Sequence, residues 1–210
     1  MKTSLKQILS LLVISILFSS CASVYMAPNA KQQSVAHEIV AILKPNVSIK
    51  ARWNDSLEAI KESQRTSATE FQQEIYSYML FRKSKGQMFV EIQDVDETNA
   101  LLNKNNVDIR SLTSSELCKL LGVDALITSN FGLSKPMSTG GAVALGLLTG
   151  YEGSTNEVVV SMSIKDCKTK SLLWKYDHTH QGGLGSTASK LVDGLMRNAS
   201  KKMPYFFNGY

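Results

Sequence analysis

The chain has 210 residues, of which 43% are hydrophobic and 20% charged, with a formal net charge of +5 and a mean hydropathy of −0.07. That length allows one domain with a proper hydrophobic core and leaves little room for two. The composition excludes disordered, collagen-like and disulfide-dense proteins, because three cysteines form at most one bridge.

The N-terminus has the pattern of a secretory signal segment. Two lysines precede an apolar run over residues 8–18, which is shorter than the roughly 18–20 residues that a membrane-spanning helix needs. Ser19 and Ser20 then precede Cys21, and this ending resembles the lipobox of bacterial lipoproteins. The resemblance implies cleavage after residues 1–20 and acylation of the Cys21 thiol. The alternative is an ordinary signal peptide that ends near a cysteine.

The acylated cysteine would place the mature protein at a membrane, since two or three acyl chains anchor a protein stably. Ala22 and Ser23 follow Cys21, and by resemblance to the lipoprotein sorting rule the lack of an aspartate there implies the periplasmic face of the outer membrane. The polar residues that follow predict a flexible tether over 21–35. Cleavage removes two lysines and lowers the net charge to +3, so neither charge nor compartment favours nucleic acid as a partner.

The first half of the mature chain predicts two strands around a helix. An apolar run over residues 37–43, ended by a Lys-Pro pair, predicts a buried strand. Apolar residues at helical spacing predict a helix from Leu57 to about Arg82, with a break over 63–67 where the pattern is polar. Residues 88–92 then predict a second strand.

The middle of the chain predicts two short helices and a central strand. The first helix is expected around residues 98–102. Thr113 and Glu116 have the spacing of a capping box and begin the second helix, which Gly122 ends. Residues 123–128 predict a strand whose apolar side chains fall on both faces, as in a sheet that helices cover.

The last third predicts an insertion, a hairpin and a closing helix. The insertion over 134–156 is rich in glycine, serine and threonine. Alternating runs over 158–164 and 172–176, joined by a turn over 166–170, predict an antiparallel hairpin. An apolar stripe over 188–203 predicts the last helix.

This order of elements predicts a single α/β sandwich over residues 36–206. We expect a mixed sheet of about five strands with a C-terminal β-hairpin, flanked by three or four helices. The order, together with the patterns of 94–102, 116–127 and 158–174, resembles a group of bacterial envelope lipoproteins. The group includes the curli-secretion channel lipoprotein, the lipoprotein activators of penicillin-binding proteins and a neisserial surface-antigen-like family. The resemblance implies an anticodon-binding-like α/β core.

The sequence offers no catalytic or metal-binding constellation. It contains no HExxH, GxSxG, Walker or paired CxxC pattern. Asp94 and Asp96 would face a shared cation on an extended chain, but a turn that caps a helix is favoured. His178 and His180 would share one strand face without a third ligand nearby, and His37 has no identifiable partner. We therefore predict no catalytic residue, no metal and no cofactor.

Cys118 and Cys167 flank two strands that are expected to pair antiparallel. Cys118 comes just before the first strand and Cys167 just after the second. The two thiols either form a disulfide, which the periplasm permits, or stay separate.

The segment 137–151 is the most unusual part of the insertion. It is either a long loop folded over the sheet edge or a contact segment for a partner, because long structureless loops are often functional. The candidate contact residues are Gly140, Gly141, Leu145, Leu147, Leu148 and Tyr151.

These features predict a non-catalytic, membrane-anchored lipoprotein that acts as a binding or assembly module in the bacterial cell envelope. Its partner would be another protein or further copies of itself. One alternative is a subunit of an outer-membrane secretion or pore complex, with 140–151 entering the membrane, although the sequence lacks the additional alternating strands of about 9–11 residues that spanning hairpins need. The other alternative is an envelope hydrolase, for which the sequence shows no acid–base candidate.

Overall fold

The computed structural model describes residues 22–50, 56–134, 156–182 and 188–207. The predicted signal segment with Cys21 and the predicted contact segment 137–151 both lie outside the described residues. Within the described ranges, no helix combines the length and the apolar character that crossing a bilayer requires.

The described residues form seven strands and five α-helices. The strands are β1 (Ser23–Met26), β2 (Ile39–Ile42), β3 (Asn46–Ile49), β4 (Glu91–Ile92), β5 (Ala125–Ser134), β6 (Asn156–Asp166) and β7 (Leu172–Gly182). The helices are α1 (Ala30–Val35), α2 (Leu57–Ser84), α3 (Val95–Lys104), α4 (Ser114–Leu121) and α5 (Ala188–Ala199), and a 3-10 turn over Ser200–Lys202 follows α5.

All seven strands belong to one open, mixed sheet. The strand order is β1-β7-β6-β5-β2-β4, and β3 pairs with β5 on the same edge as β2, further along the strand. Strands β2, β3 and β4 have parallel partners, whereas β1, β6 and β7 pair antiparallel. The predicted α/β sandwich is confirmed, and β1 and α1 enlarge it beyond the expected elements.

Strand β5 carries hydrophobic side chains on both faces, as the sequence pattern predicts. Leu126 packs in a cluster with residues of α3 and α4, whereas Ile127 faces the larger cluster formed with α2 and α5. In that larger cluster the ring of Phe71 in α2 stacks on Phe131 of β5 with a centroid distance of 4.3 Å. Helices therefore cover this strand from both sides, which explains why its apolar residues do not alternate.

Helix α2 is continuous, so the predicted break over 63–67 is wrong. Ser56 caps the helix by accepting a hydrogen bond from the Ala59 backbone N–H at 3.1 Å. The buried residues of the helix begin only at Ala68, which anchors its second half to the core. Helix formation propagates readily from such a packed segment, and the polar residues before it contain no glycine or proline to interrupt it.

The predicted flexible tether is wrong for residues 23–35, which form β1 and α1. Strand β1 pairs with the edge of β7, from Ser23 opposite Asp177 to Met26 opposite Trp174. The pairing satisfies backbone groups that β7 would otherwise leave open at the sheet edge. Ser23, Val24 and Tyr25 are exposed in this edge strand, and Met26 is partly buried.

The predicted strand over 88–92 is shorter than expected. Only Glu91 and Ile92 pair with β2, and Met88 forms an isolated bridge with Phe206 from the C-terminal residues. The apolar run is buried all the same, because the chain crosses beneath the C-terminal residues there.

Helix α4 begins and ends as predicted. The Thr113 hydroxyl accepts from the Glu116 backbone N–H at 3.3 Å, and the Glu116 carboxylate accepts from the Thr113 backbone N–H at 2.8 Å. Gly122 ends the helix in the left-handed region, with φ at +67°, and its N–H donates to the Cys118 carbonyl at 2.8 Å. Glycine suits this position because it has no Cβ.

We expect Gly122→Ala to lower the free energy of unfolding by about 1–2 kcal/mol, the cost of a left-handed conformation for an L side chain. A Cβ at Gly122 would meet no atom within 4 Å, so backbone strain is the whole effect. Gly132→Ala is the matched control: its Cβ would lie 3.6 Å from Ser48 Oγ, and its backbone is not left-handed. Urea denaturation should show a lower midpoint for Gly122→Ala alone, and equal losses in both variants would contradict this.

Candidate functional site

A cleft of about 930 Å³ opens at the end of the sheet where β2 and β5 begin. Its walls come from α1, from α4 with the glycine that ends it, and from the turn between β6 and β7. We call it the partner cleft. Its volume is in the range of ordinary ligand-binding sites.

A buried hydrogen-bonded chain of three side chains underlies the partner cleft. His37 comes just before β2, Asp166 ends β6 and Tyr205 follows the 3-10 turn. His37 Nε2 lies 2.7 Å from Asp166 Oδ2, and His37 Nδ1 lies 2.8 Å from Tyr205 Oη. The side chains of His37 and Asp166 are only 4% and 6% exposed, and Tyr205 is fully buried.

Two shifted pKa values assign the protons in this chain. Burial raises the pKa of Asp166, but hydrogen bonds from the Thr169 hydroxyl and N–H and from His37 lower it by more, so it lies below its ordinary value. Burial, followed by the negative charges of Asp166 and Asp124, raises the pKa of Tyr205. Tyr205 therefore keeps its proton, and Asp166 is an ionised acceptor to which His37 Nε2–H donates.

The order carboxylate, imidazole, hydroxyl is that of hydrolytic triads, but here all three groups are buried and hydrogen-bonded to one another. The hydroxyl is a buried phenol with a raised pKa, and both imidazole nitrogens already have partners. The nearby Thr169 hydroxyl donates to Asp166 rather than to the imidazole. General-base use of His37 would require one of these buried hydrogen bonds to break. The arrangement instead ties β2, the hairpin turn and the C-terminal residues together.

The sequence did not reveal the partners of His37. Asp166 is 129 positions away and Tyr205 is 168 positions away. No short-range pattern marks a pair at such separation, because the contact exists only once β2, β5 and β6 have paired. The structure therefore supplies the two partners of His37 that the sequence could not identify.

A disulfide between Cys118 and Cys167 borders the partner cleft. The two Cα atoms are 5.8 Å apart, and the bond joins α4 to the hairpin turn across 49 positions of sequence. The antiparallel pairing of β5 with β6 brings the cysteines together, since Ala125 is opposite Asp166. The sequence left open whether the two thiols are bonded or separate, and in the structure they form a disulfide.

The partner cleft also contains a carboxylate that is hydrogen-bonded within the protein, together with amine and amide side chains that are accessible from the cleft. Asp124 Oδ2 accepts from the backbone N–H groups of Glu38 and Ile39 at 2.8 and 3.0 Å, which fixes the start of β2. The amines of Lys119 and Lys168 line the cleft beside several amide side chains from the α1 region. These amines and amides provide hydrogen-bond donors for a polar partner group.

One of the two aspartates considered for a cation, Asp94, caps a helix. Asp94 Oδ1 accepts from the backbone N–H groups of Asp96 and Glu97 at 2.8 and 3.2 Å and so caps α3. These backbone hydrogen bonds, followed by one from Tyr76, lower the pKa of Asp94. The Asp96 carboxylate accepts a hydrogen bond from Gln73 Nε2.

The histidines considered for a metal do not form a described site. The ring of His178 packs against Tyr176 with a centroid distance of 5.8 Å, and the side chain of His180 lies outside the described residues. The described part of the chain contains no group of three or more side chains that could hold a metal ion.

Known proteins resemble this chain in structure only. No family model and no curated protein matches the chain. The lipoprotein GNA1162 from Neisseria meningitidis aligns with a TM-score of 0.46 at 11% identity, over 79% of this chain and 96% of that one. The PelC dodecamer from Paraburkholderia phytofirmans aligns with a TM-score of 0.46 at 10% identity, over 89% of this chain and 99% of that one. The LpoB C-terminal domain from Salmonella enterica aligns with a TM-score of 0.38 at 9% identity, over 69% of this chain and 83% of that one.

We expect Asp166→Asn to lower the free energy of unfolding by about 1–3 kcal/mol at neutral pH, because a buried hydrogen-bonded carboxylate is lost. The lowered pKa means that the Asp166 carboxylate stabilises the fold above its unfolded pKa near 3.8, and that this contribution is lost as pH falls through the folded pKa. Asp166→Asn should therefore flatten the loss of stability below about pH 4.

The control for this prediction is Asp193→Asn. Asp193 forms an exposed ion pair with Arg197 at 2.7 Å, and its loss should change stability by no more than about 0.5 kcal/mol. Urea denaturation at several pH values compares the two variants. Equal small effects would show that the buried chain does not stabilise the fold.

Proposed function

We propose that the protein is a non-catalytic binding module of the bacterial cell envelope, anchored to a membrane through acylated Cys21. The observation that carries the proposal is the division of the three cysteines. Cys118 and Cys167 are bonded to each other beside the partner cleft, and Cys21 comes two residues before the first strand.

The disulfide supports an oxidising compartment for the folded domain. Disulfides persist in the bacterial periplasm and are rare in the cytosol, where thiols are kept reduced. Export agrees with the signal pattern of residues 1–20, and the lipobox-like ending assigns the third cysteine to the anchor. The residues after Cys21 favour the periplasmic face of the outer membrane by the lipoprotein sorting rule.

Strand β1 limits how far the domain can stand from its membrane. Two residues of chain span at most about 7 Å, so the acylated cysteine is within that distance of Ser23. Ser23 pairs with Asp177, and the partner cleft begins where β7 starts at Leu172, about 17 Å along the strand. A partner held there would be a protein at the membrane surface, or a second copy of this chain.

The chemistry of the partner cleft supports binding rather than catalysis. His37, Asp166 and Tyr205 hold one another in buried hydrogen bonds, so none of them is available as acid, base or nucleophile. Lys119 and Lys168 provide accessible cations for polar recognition.

Metabolic labelling with radioactive palmitate tests the anchor. The full-length wild-type protein should incorporate label and fractionate with membranes, because its Cys21 thiol is acylated. Cys21→Ala should lose the label and leave the membrane fraction. The double variant Cys118→Ala with Cys167→Ala should remain labelled, and label that persists in Cys21→Ala would overturn the anchor.

Crosslinking and pull-down of the intact lipoprotein test the binding function. We expect a defined partner set that the pair Lys119→Gln with Lys168→Gln loses, because those amines line the partner cleft. Lys104→Gln with Lys201→Gln makes the same change in charge at exposed residues away from that cleft and should keep the partners.

The same preparation separates the proposal from its rivals. A variant lacking residues 137–151 tests whether that segment takes part in binding. If the variant keeps the same partners, the segment does not contribute to binding. Ring-shaped particles after detergent extraction would favour the secretion or pore complex, and hydrolysis of cell-wall fragments by the purified protein would overturn the non-catalytic assignment.

A further inference from the structure

A second cleft, of about 480 Å³, lies between the first part of α2 and the turn that joins β2 to β3. Four cationic side chains line it, namely Lys44, Lys61, Arg65 and Arg110. None of the described residues that line it is acidic. We call it the basic cleft, and its volume is that of an ordinary small-ligand site.

Helix α2 supplies one wall of the basic cleft. Lys61, Gln64 and Arg65 have the helical spacing that brings side chains to one face. This part of the helix precedes Ala68, the first residue of α2 that is buried in the core. The two cations are therefore presented to solvent by a regular helix rather than by a loop.

The other walls bring a second guanidinium to the same cleft. Arg110 Nη2 donates to Asn46 Oδ1 at 2.7 Å, which fixes the arginine beside the start of β3. Guanidinium, ammonium and amide groups together provide the hydrogen-bond donors that a phosphate oxygen accepts. The cleft thus has the donor chemistry of a phosphate site.

The positive charge of the basic cleft is left largely unbalanced. Arg65 has one ion pair, with Glu62 at 3.8 Å, and both side chains are more than 70% exposed, so this pair is weak. Among the described residues, Lys44, Lys61 and Arg110 form no ion pair. Four clustered cations repel one another, and a bound anion would relieve that repulsion.

The register of the sheet relates the basic cleft to the anchor. Ser23 is opposite Asp177, Asp177 is opposite Ser161, Ser161 is opposite Asn130, and Asn130 is opposite Asn46. These five residues form one row across the sheet. Four strand spacings make roughly 19 Å, so a bilayer surface at the anchor reaches the cleft when the row lies along it.

We propose that the basic cleft binds the phosphate of an anionic phospholipid headgroup in the membrane that holds Cys21. The location of that membrane rests on the proposed function, whereas the binding chemistry does not. A lipid anchor and a basic patch together hold a protein at a membrane more firmly than either one alone.

Vesicle flotation tests the proposal on the mature chain with Cys21→Ser, which has no acyl chain. At low salt it should float with vesicles that contain about 30% phosphatidylglycerol and not with pure phosphatidylcholine. Lys61→Gln with Arg65→Gln should weaken that binding by about 30-fold, as two cations near an anionic surface do. Lys104→Gln with Lys201→Gln, with the same change in charge, should weaken it by less than about threefold.

Each outcome decides the proposal. Equal losses in the two charge pairs, or no preference for phosphatidylglycerol, would overturn it. Titration with inorganic phosphate separates the two sources of the anion: phosphate that binds through Lys61 and Arg65 without vesicle binding would assign the cleft to a soluble ligand and overturn the lipid. Thermal unfolding of all variants checks that they fold. Because the tested chain lacks the anchor, failure of palmitate labelling would leave this result intact.

Discussion

Strand β5 is the constraint on which the rest of the structure depends, because it is buried on both faces and paired along both edges. Strand β6 follows one edge for ten residue pairs, while β2 and β3 share the other edge in succession. A slip of one residue would exchange Leu126 and Ile127 between two different hydrophobic clusters, so the register cannot drift. That register places the start of β2 and the end of β6 at the same end of the sheet, on either side of β5, and it places the start of β3 beside the middle of β5. Both clefts follow from those placements.

The partner cleft owes its shape to polar groups that the sheet brings together at one end. Three segments far apart in the chain meet at His37, Asp166 and Tyr205, and a buried donor or acceptor left alone there would cost about 1–3 kcal/mol. The disulfide adds a covalent link between α4 and the hairpin turn at the same place. Walls held in this way lose little freedom when a partner binds, and that lowers the entropic cost of association. A network that resembles a catalytic triad in its atom order thus holds the walls of this cleft together.

The sequence predicts the features that depend on residues close together in the chain, and it misses those that depend on contacts between distant segments. The capping box of Thr113 and Glu116 and the hairpin over β6 and β7 depend on neighbours within a few residues or on simple alternation, and both are found. The continuity of α2 depends on how its second half packs, which no local pattern records. The partners of His37 depend on strand pairing across more than a hundred positions. For the same reason no sequence motif marks the basic cleft. Its four cations are spread over 67 positions, from Lys44 to Arg110, and only the fold brings them together.

Strand β1 changes what an acyl anchor would do. A long tether would let the domain turn freely above the bilayer, whereas folding that begins at Ser23 joins the anchor to the edge of the sheet within about 7 Å. One attachment point still permits rotation about itself, and a second contact at the basic cleft, roughly 19 Å across the same row of residues, would remove most of that rotation. The row would then lie along the bilayer surface. The strands cross this row, so their direction would determine which way the partner cleft faces relative to the membrane. In this arrangement membrane binding would do more than retain the protein, because it would also select the orientation in which the partner cleft is offered. The proposed lipid contact and the proposed protein contact would then belong to a single function.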